Sequence, residues 1–419
     1  MNNGFQYHFH GVGQGLFASG CLYQANSPQP RFLWVYDCGS SSAGKPWQAE
    51  IQKLTKFAAC KRSIDLLTIS HFDEDHILGV IDLLREFKVE ALLLPYMPLW
   101  KRLSIAFASG VTGNDPFLNF YLNPVGYLRS VAGAEIERII IIAPDDGNSA
   151  DLNGPPPYDL PPANGPWQIS ARTKPPTQRP TDNNDPFENA TDAEVLPPGE
   201  TISIHGLWEF VPYNAPHAAV PSSFSSEVRK QRDLLTTESS PEVHENALKS
   251  LKSLFNGHFG RGDKARNAIS LFLYSGPIYS SWAACKMISR HRKTSVDFPV
   301  RYPCYYRVNP DAPGLPSKCS ILYSGDGYLD RPPKFDDLNR SLGEIRMRRL
   351  GVFQVNHHGA KANWHPGLAE KLCPRFSIFC SDDTKGNRHP SKEVKMDFQD
   401  YRPIQVNKSG CSFYGWLLR

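Results

Sequence analysis

The decapeptide SHFDEDHILG, residues 70–79, places His71, Asp73, Asp75 and His76 directly behind the apolar run IDLLTI. Imidazole nitrogens and carboxylate oxygens are ligands of first-row metal ions, and this cluster supplies much of a two-metal site. In an extended segment residues 71 and 73 point to one side, and a turn at the strand's end brings 75 and 76 round to the same opening. Paired ions held there activate a water near neutral pH and hold both ends of an in-line displacement. An N-cap for a helix beginning near Ile77 accounts for one Asp, not for two His placed around two Asp.

Three later apolar segments end in similar groups. SILYSGDG ends on Asp326, GVFQVNHHG on His357 and His358, and RFSIFCSDD runs into TKGNRHPS with His389. Each is metal-competent or able to transfer protons. Several strands ending this way in one chain predict a common sheet edge whose loops assemble a site.

The elements that must position these groups follow from periodicity. YHFHGVGQGLFASG and RFLWVYDCGS predict a pair of strands with Gly-rich turns, the second ending on Asp37 and Gly39. KPWQAEIQKLTKFAACKR has helical spacing, IDLLTIS is a buried strand, and ILGVIDLLREF is a short helix after the charged cluster. Further strands are expected in ALLLPYMPL, IERIIIIAP, TISIHGLWEFVPYN, NAISLFLYS and CSFYGWLL, with helices at 223–255 and around HPGLAEKL. Pro density from 145 to 200 argues for a long irregular surface insertion, and 276–317 is a second. The expectation is one domain spanning 1–419 with these two insertions.

Composition limits the class. The chain has 419 residues, 40% hydrophobic and 21% charged, with 36 Pro and a net charge of +4. That mild basicity permits a polyanionic substrate without requiring one. Nine Cys without a CxxC pair argue against a disulfide framework or a thiolate zinc site. With no signal-peptide pattern and no apolar run of transmembrane length, the expectation is a cytoplasmic protein without membrane contact.

The cluster HFDEDH resembles the HxHxDH signature of the metallo-β-lactamase superfamily with Asp73 in place of the second His. More narrowly, the ordered set VGQG (12–15), VYDCG (35–39), SHFDEDHILG, NAISLFLY (267–274), YSGDG (323–327), NHHGA (356–360) and NRHPS (387–391) resembles the soluble hydrolase domain of ComEC-type DNA-uptake proteins. The resemblance implies an α/β fold, the αββα metallo-β-lactamase sandwich, with its site along one edge of two sheets. It implies His71 and Asp73 on a first metal, Asp75 and His76 on a second, Asp326 bridging, His389 as a further ligand, and Asp37 bracing from behind. His357 and His358 would coordinate or give a proton to the leaving group, so Asp75, His357 and His358 form the expected catalytic set. Leu16 and Ala360 stand where that family carries Asp and Ser, and no motif marks a middle His ligand; His205 and His217 are the nearest candidates by position.

Exchanging an imidazole for a carboxylate at Asp73 favours harder ions. Two divalent ions are expected, Mn²⁺ or Zn²⁺, with Mg²⁺ also admissible. Lys361, Lys385, Asn387 and Arg388 lie near or within the site loops and are candidates for phosphate contacts. The leading expectation is a metal-dependent nuclease or phosphodiesterase on nucleic acid, in DNA processing or defence against foreign DNA. The alternatives are a hydrolase of a small ester, thioester or cyclic nucleotide, and a non-catalytic regulatory subunit that binds a protein partner through its Pro-rich insertion.

Overall fold

A computed structural model describes residues 3–24, 27, 29–58, 61–108, 110–112, 115, 117–147, 167–175, 193–217, 220–237, 240–259, 270–278, 284–285, 288–291, 318–382 and 389–418. Two sheets organise them. The first contains β1 (Asn3–Phe9), β2 (Phe17–Tyr23), β3 (Pro30–Cys38), β4 (Ser63–Ile64), β5 (Leu66–Thr68), β6 (Lys88–Pro95), β7 (Ile136–Ile142), β9 (Ala193–Leu196), β13 (Ala284–Cys285), β14 (Ile288–His291) and β19 (Cys411–Leu418). The second contains β8 (Ser170–Ala171), β10 (Ile202–Ile204), β11 (Trp208–Asn214), β12 (Leu271–Pro277), β15 (Ser320–Tyr323), β16 (Leu350–Gln354), β17 (Phe376–Cys380) and β18 (Pro403–Val406).

Each sheet is antiparallel on one side and parallel on the other. In the first, β19, β1, β2 and β3 alternate in direction while β3, β5, β6, β7 and β9 run parallel. In the second, β15 to β18 run parallel. Parallel strands finish together, so β3, β5, β15, β16 and β17 can deliver their following turns to one carboxyl edge.

Side-chain alternation sorts the layers. On β3, Phe32, Trp34 and Tyr36 pack between the sheets, whereas Leu33 and Val35 face helices. Those helices are α1 (Trp47–Phe57), α2 (Glu74–Ile77), α3 (Val80–Glu86), α4 (Leu99–Ala108), α5 (Leu118–Leu122), α6 (Pro124–Ser130), α7 (Ser222–Thr237) and α8 (Pro241–Phe259). Outside the second sheet lie α9 (Pro332–Leu342), α10 (Glu344–Arg348), α11 (Leu368–Leu372) and α12 (Lys392–Asp397), packed on Phe272, Leu322, Phe353 and Phe379. The order is helix, sheet, sheet, helix: an αββα sandwich. Beneath the carboxyl edge, Tyr36 and Tyr323 stack across the inter-sheet core at 4.7 Å and 16°. The Trp34 indole donates to the Tyr323 hydroxyl at 3.2 Å, and the Tyr36 hydroxyl donates to the Leu271 carbonyl at 2.6 Å.

Several details differ from the sequence-based expectation. The N-terminal segment forms three strands, because the first expected strand breaks at His10–Leu16 into β1 and β2. The helix expected from Ile77 starts at Glu74 and breaks between α2 and α3, where a Cβ on Gly79 would stand 2.7 Å from both Cys38 Sγ and the Trp47 ring. The 223–255 segment is two helices. Within 145–200 and 276–317, β8, β9, β13 and β14 are short strands, β8 and β9 at the ends of their sheets; most of the remainder of both spans lies outside the described residues. Among the described residues no helix is long and apolar enough to cross a membrane.

The basic run RMRRLG turns largely inward. Arg346 forms a bidentate pair with buried Glu209 at 2.8 and 2.9 Å, and Arg349 donates to the carbonyls of Pro277 and Ile278. Arg346 and Arg349 thus serve packing, while Arg348 stays exposed beside Glu344.

Candidate metal centre

The centre is built from second partners before it is built from ligands. Asp37, fully buried at the end of β3, accepts the Ser70 amide on Oδ1 at 2.6 Å. Its Oδ2 accepts the Ser70 hydroxyl at 2.6 Å and His76 Nδ1 at 2.8 Å. Having donated its proton to Asp37, the Ser70 hydroxyl accepts from His71 Nδ1 at 2.9 Å. From the second sheet, His358 Nδ1 donates to the Cys380 carbonyl at 2.5 Å and His357 Nδ1 to Asn363 Oδ1 at 2.9 Å. In all four imidazoles Nδ1 is held by a serine, carboxylate, amide or backbone oxygen, which leaves Nε2 to face the centre.

The four Nε2 atoms converge on carboxylates. Asp326 Oδ1 lies 3.1 Å from His76 Nε2 and 4.0 Å from His358 Nε2. Its Oδ2 lies 3.4 Å from His357 Nε2 and 3.8 Å from His71 Nε2. One carboxylate thus presents one oxygen to each of two His pairs. Asp73 Oδ2 adds to the His71 side at 3.6 Å, and Asp75 Oδ2 to the His358 side at 3.0 Å.

Local geometry is tightly specified. Asp37, His357 and His358 adopt left-handed φ values of 54°, 45° and 57°, conformations that cost non-glycine residues about 1–3 kcal/mol each. Gly325, at φ 50°, has no room for a Cβ, which would stand 2.3 Å from Ser270 Oγ and 2.7 Å from Ser70 Oγ. Both Ser324 and Gly325 amides donate to Gln354 Oε1, the Asp326 amide donates to Ser270 Oγ, and Asn363 donates to the Asp326 carbonyl at 2.8 Å. On the other side a Cβ on Gly39 would lie 2.6 Å from the backbone of Asp75 and His76.

The electrostatics ask for cations. Burial alone would raise Asp326 and Asp75, but the surrounding imidazoles outweigh it, holding Asp326 well below the usual carboxylate range and Asp75 at about 2. Burial would lower His76 and His358, yet the carboxylates around them raise both. His71 Nε2, His76 Nε2 and Asp326 Oδ1 are buried without a hydrogen-bond partner, although each faces an opposite charge. Buried orphans of this kind are costly unless something else satisfies them, and the donor set fits divalent metal ions. Side-chain exposure is 21% for Asp73 and Asp75 and 24% for His357, against 3% or less for His71, His76, Asp326 and His358. The centre is therefore open on the Asp73, Asp75 and His357 side.

Of the other expected site residues, His389 stands beside His357 with ring centroids 5.6 Å apart, outside the tightest donor groups. Burial, then His357 and His358, push its imidazole down to about 4. Lys361 is exposed and pairs with Glu393 at 2.5 Å. Lys385, Asn387 and Arg388 lie outside the described residues. His205 and His217 are elsewhere: His205 Nε2 accepts from the Gln168 amide at 3.4 Å, and His217 Nε2 bonds the Tyr96 carbonyl at 2.9 Å. Leu16 sits in the inter-sheet core while its backbone brackets the metal loop, its amide donating to the Asp75 carbonyl. Sequence reasoning missed Ser70, Ser270, Gln354 and Asn363, ordinary polar residues whose partners are mostly remote in the chain.

No family model matches the sequence, nor does any curated protein. Among solved structures the chain is similar to the crystal structure of a long form RNase Z from yeast, with a TM-score of 0.34 and 10% identity over 97% of this chain. It spans 41% of that longer chain.

Proposed function

We propose that the protein is a metal-dependent phosphodiesterase acting on nucleic acid. The observation that carries the reading is the pattern around Asp326: four imidazoles fixed through Nδ1, with their Nε2 atoms divided between the two oxygens of one carboxylate. His71, Asp73 and His357 would hold one ion, Asp75, His76 and His358 the other, and Asp326 both. His357 thereby fills the ligand position that His205 and His217 leave vacant. Divalent ions so held polarise phosphoryl oxygens and lower the pKa of water towards neutrality.

The protein's own groups orient and exclude. Asp37 fixes the His76 tautomer, Asn363 fixes His357 and the Asp326 turn together, and burial of the inner donors keeps solvent to the Asp73, Asp75 and His357 side. With both His357 and His358 assigned to metal, proton transfer falls to His389, which the fold holds beside His357. The choice of nucleic acid over a small ester is supported by the ordered motif set shared with ComEC-type domains. Each position would offer two carboxylates and two imidazoles, and with Asp73 supplying an oxygen donor beside His71, Mn²⁺ is expected to support activity best.

Metal analysis of the purified protein, with assays on single- and double-stranded DNA, RNA and a bis-aryl phosphodiester, tests the reading. Metal-dependent nucleic-acid cleavage, abolished in Asp75→Ala, is expected. Turnover of the bis-aryl diester alone would move the activity to small diesters. A protein that binds no metal and cleaves nothing would be a regulatory scaffold instead.

A further inference from the structure

A second group of His and Glu side chains lies away from the centre, on the helix-facing side of the first sheet. Phe5, Tyr7 and Phe9 of β1 point into the inter-sheet core, so the alternate residues His8 and His10 point outward, beneath α1. Above them α1 places Glu50 and Lys53. We propose that His8, His10 and Glu50 bind a divalent transition-metal ion at a site independent of the sheet-edge centre.

The geometry suits such an ion. One ligand atom from each residue lies within 4.8 Å of the others. His10 Nδ1 and Glu50 Oε2 stand 3.2 Å apart, near the roughly 3.3–3.5 Å that separates two ligands on a tetrahedral zinc with bonds of about 2.0–2.1 Å. Each imidazole has one nitrogen braced by a serine hydroxyl: His10 Nε2 with Ser19 Oγ at 2.9 Å, and His8 Nδ1 with Ser412 Oγ at 2.6 Å. Bracing of this sort orients a ligating imidazole. Glu50 keeps its second oxygen on Lys53 Nζ at 2.5 Å, so the carboxylate is held with Oε2 towards His10. Edge-on packing of the two imidazoles at 4.3 Å and stacking of His10 on Phe17 at 3.9 Å fix the rings further.

Beside the cluster a cavity of about 260 Å³ is lined by His8, His10, Ser19, Lys53 and Tyr414 among others. It offers room for water to complete a coordination shell, as three protein ligands require. With two imidazoles and one carboxylate the site favours Zn²⁺, Co²⁺, Ni²⁺ or Cu²⁺ over Mn²⁺ and Mg²⁺. An ion there would tie β1 to α1, whose Trp47 in turn donates to Asp82 of α3 at 3.0 Å, directly behind the SHFDEDH loop. The sequence signal is HFH at residues 8–10, two imidazoles at strand spacing.

The test is metal stoichiometry. After stripping and reloading with excess Co²⁺, the wild-type chain should hold one ion more than His8→Gln, by elemental analysis and visible d–d absorption. In Asp326→Ala, with the sheet-edge centre broken, one Co²⁺ should remain, and adding His8→Gln should remove it. Glu50→Gln, checked for folding by circular dichroism, should lose the same ion. Equal cobalt content in wild type and His8→Gln would overturn the proposal, leaving the cluster a hydrogen-bonded brace. So would an Asp326→Ala chain that folds but binds no cobalt. Loss of nuclease activity in every assay would leave these readouts untouched, so the two proposals fail separately.

Discussion

The chain holds two His and carboxylate clusters built in opposite ways. At the carboxyl edge the donors sit past strand ends, on loops, the short helix α2 and a 3-10 turn, with His357, His358 and the brace Asp37 in left-handed backbone and Gly39 and Gly325 packed too closely for a side chain. On the outer face of the first sheet, His8 lies on β1, a strand paired on both sides, His10 directly follows its last residue, and none of the donors has a positive φ. A strand holds neighbouring side chains parallel; it cannot aim four imidazoles at one carboxylate. Convergence from two sheets requires turns, and the strain is tolerated where that convergence is needed.

Breaking the shared carboxylate gives the largest effect. Asp326→Ala should lower phosphodiester cleavage by about 10²–10³-fold or more and release ions from both halves of the centre, which kinetics and elemental analysis measure together. Retention of both ions would show that Asp326 does not join the halves. Next comes the brace: Asp37→Asn can no longer accept from both His76 and Ser70 as a carboxylate does, and metal affinity should fall by about 10–100-fold, read by competition with a chelator. Unchanged affinity would mean the left-handed Asp37 turn serves the fold alone.

A pH series sharpens the contrast. In the metal-free chain the raised His76 and His358 imidazoles carry protons that metal must expel, so affinity at the edge centre should strengthen as pH rises above 6.5. The sign for stability is opposite. A raised imidazole stabilises the fold below its unfolded value of 6.5 and loses that contribution as pH rises through its folded value. The melting temperature in chelator should therefore fall above pH 6.5, while that of the metal-loaded protein holds or rises; parallel curves would dissociate these imidazoles from the metal. Last, Asn363→Ala frees His357 Nδ1 and the Asp326 turn. A loss of about 1 kcal/mol in stability and a drop in metal-supported rate of about tenfold are expected from unfolding curves and kinetics.

Much of the convergence was legible because its side chains follow apolar strands: β5 leads to His71 and Asp75, β15 to Asp326, β16 to the His357 and His358 pair. The αββα order was legible through the same motif sequence. The division of labour was not. That His357 faces one oxygen of Asp326 and His358 leans towards the other depends on consecutive left-handed residues, which no spacing rule anticipates for His. Nor does composition distinguish Arg346, buried on Glu209, from a surface cation, since the partner is 137 positions away. The short edge strands were hidden because Pro-rich context outweighed four-residue patterns such as AEVL in β9.

The stacked Tyr36 and Tyr323 have a mechanical consequence. Tyr36 immediately precedes Asp37 on the first sheet and Tyr323 lies three residues before Asp326 on the second, so the ring pair is a spacer gauge between the donors that the two sheets contribute. Thinning the gauge, as in Tyr323→Leu, would move one sheet relative to the other without touching any ligand. In the proposed centre each ion would draw donors from both sheets, so the fit of the donor set around an ion would be tunable from the hydrophobic interior, through core substitutions that leave every donor residue in place.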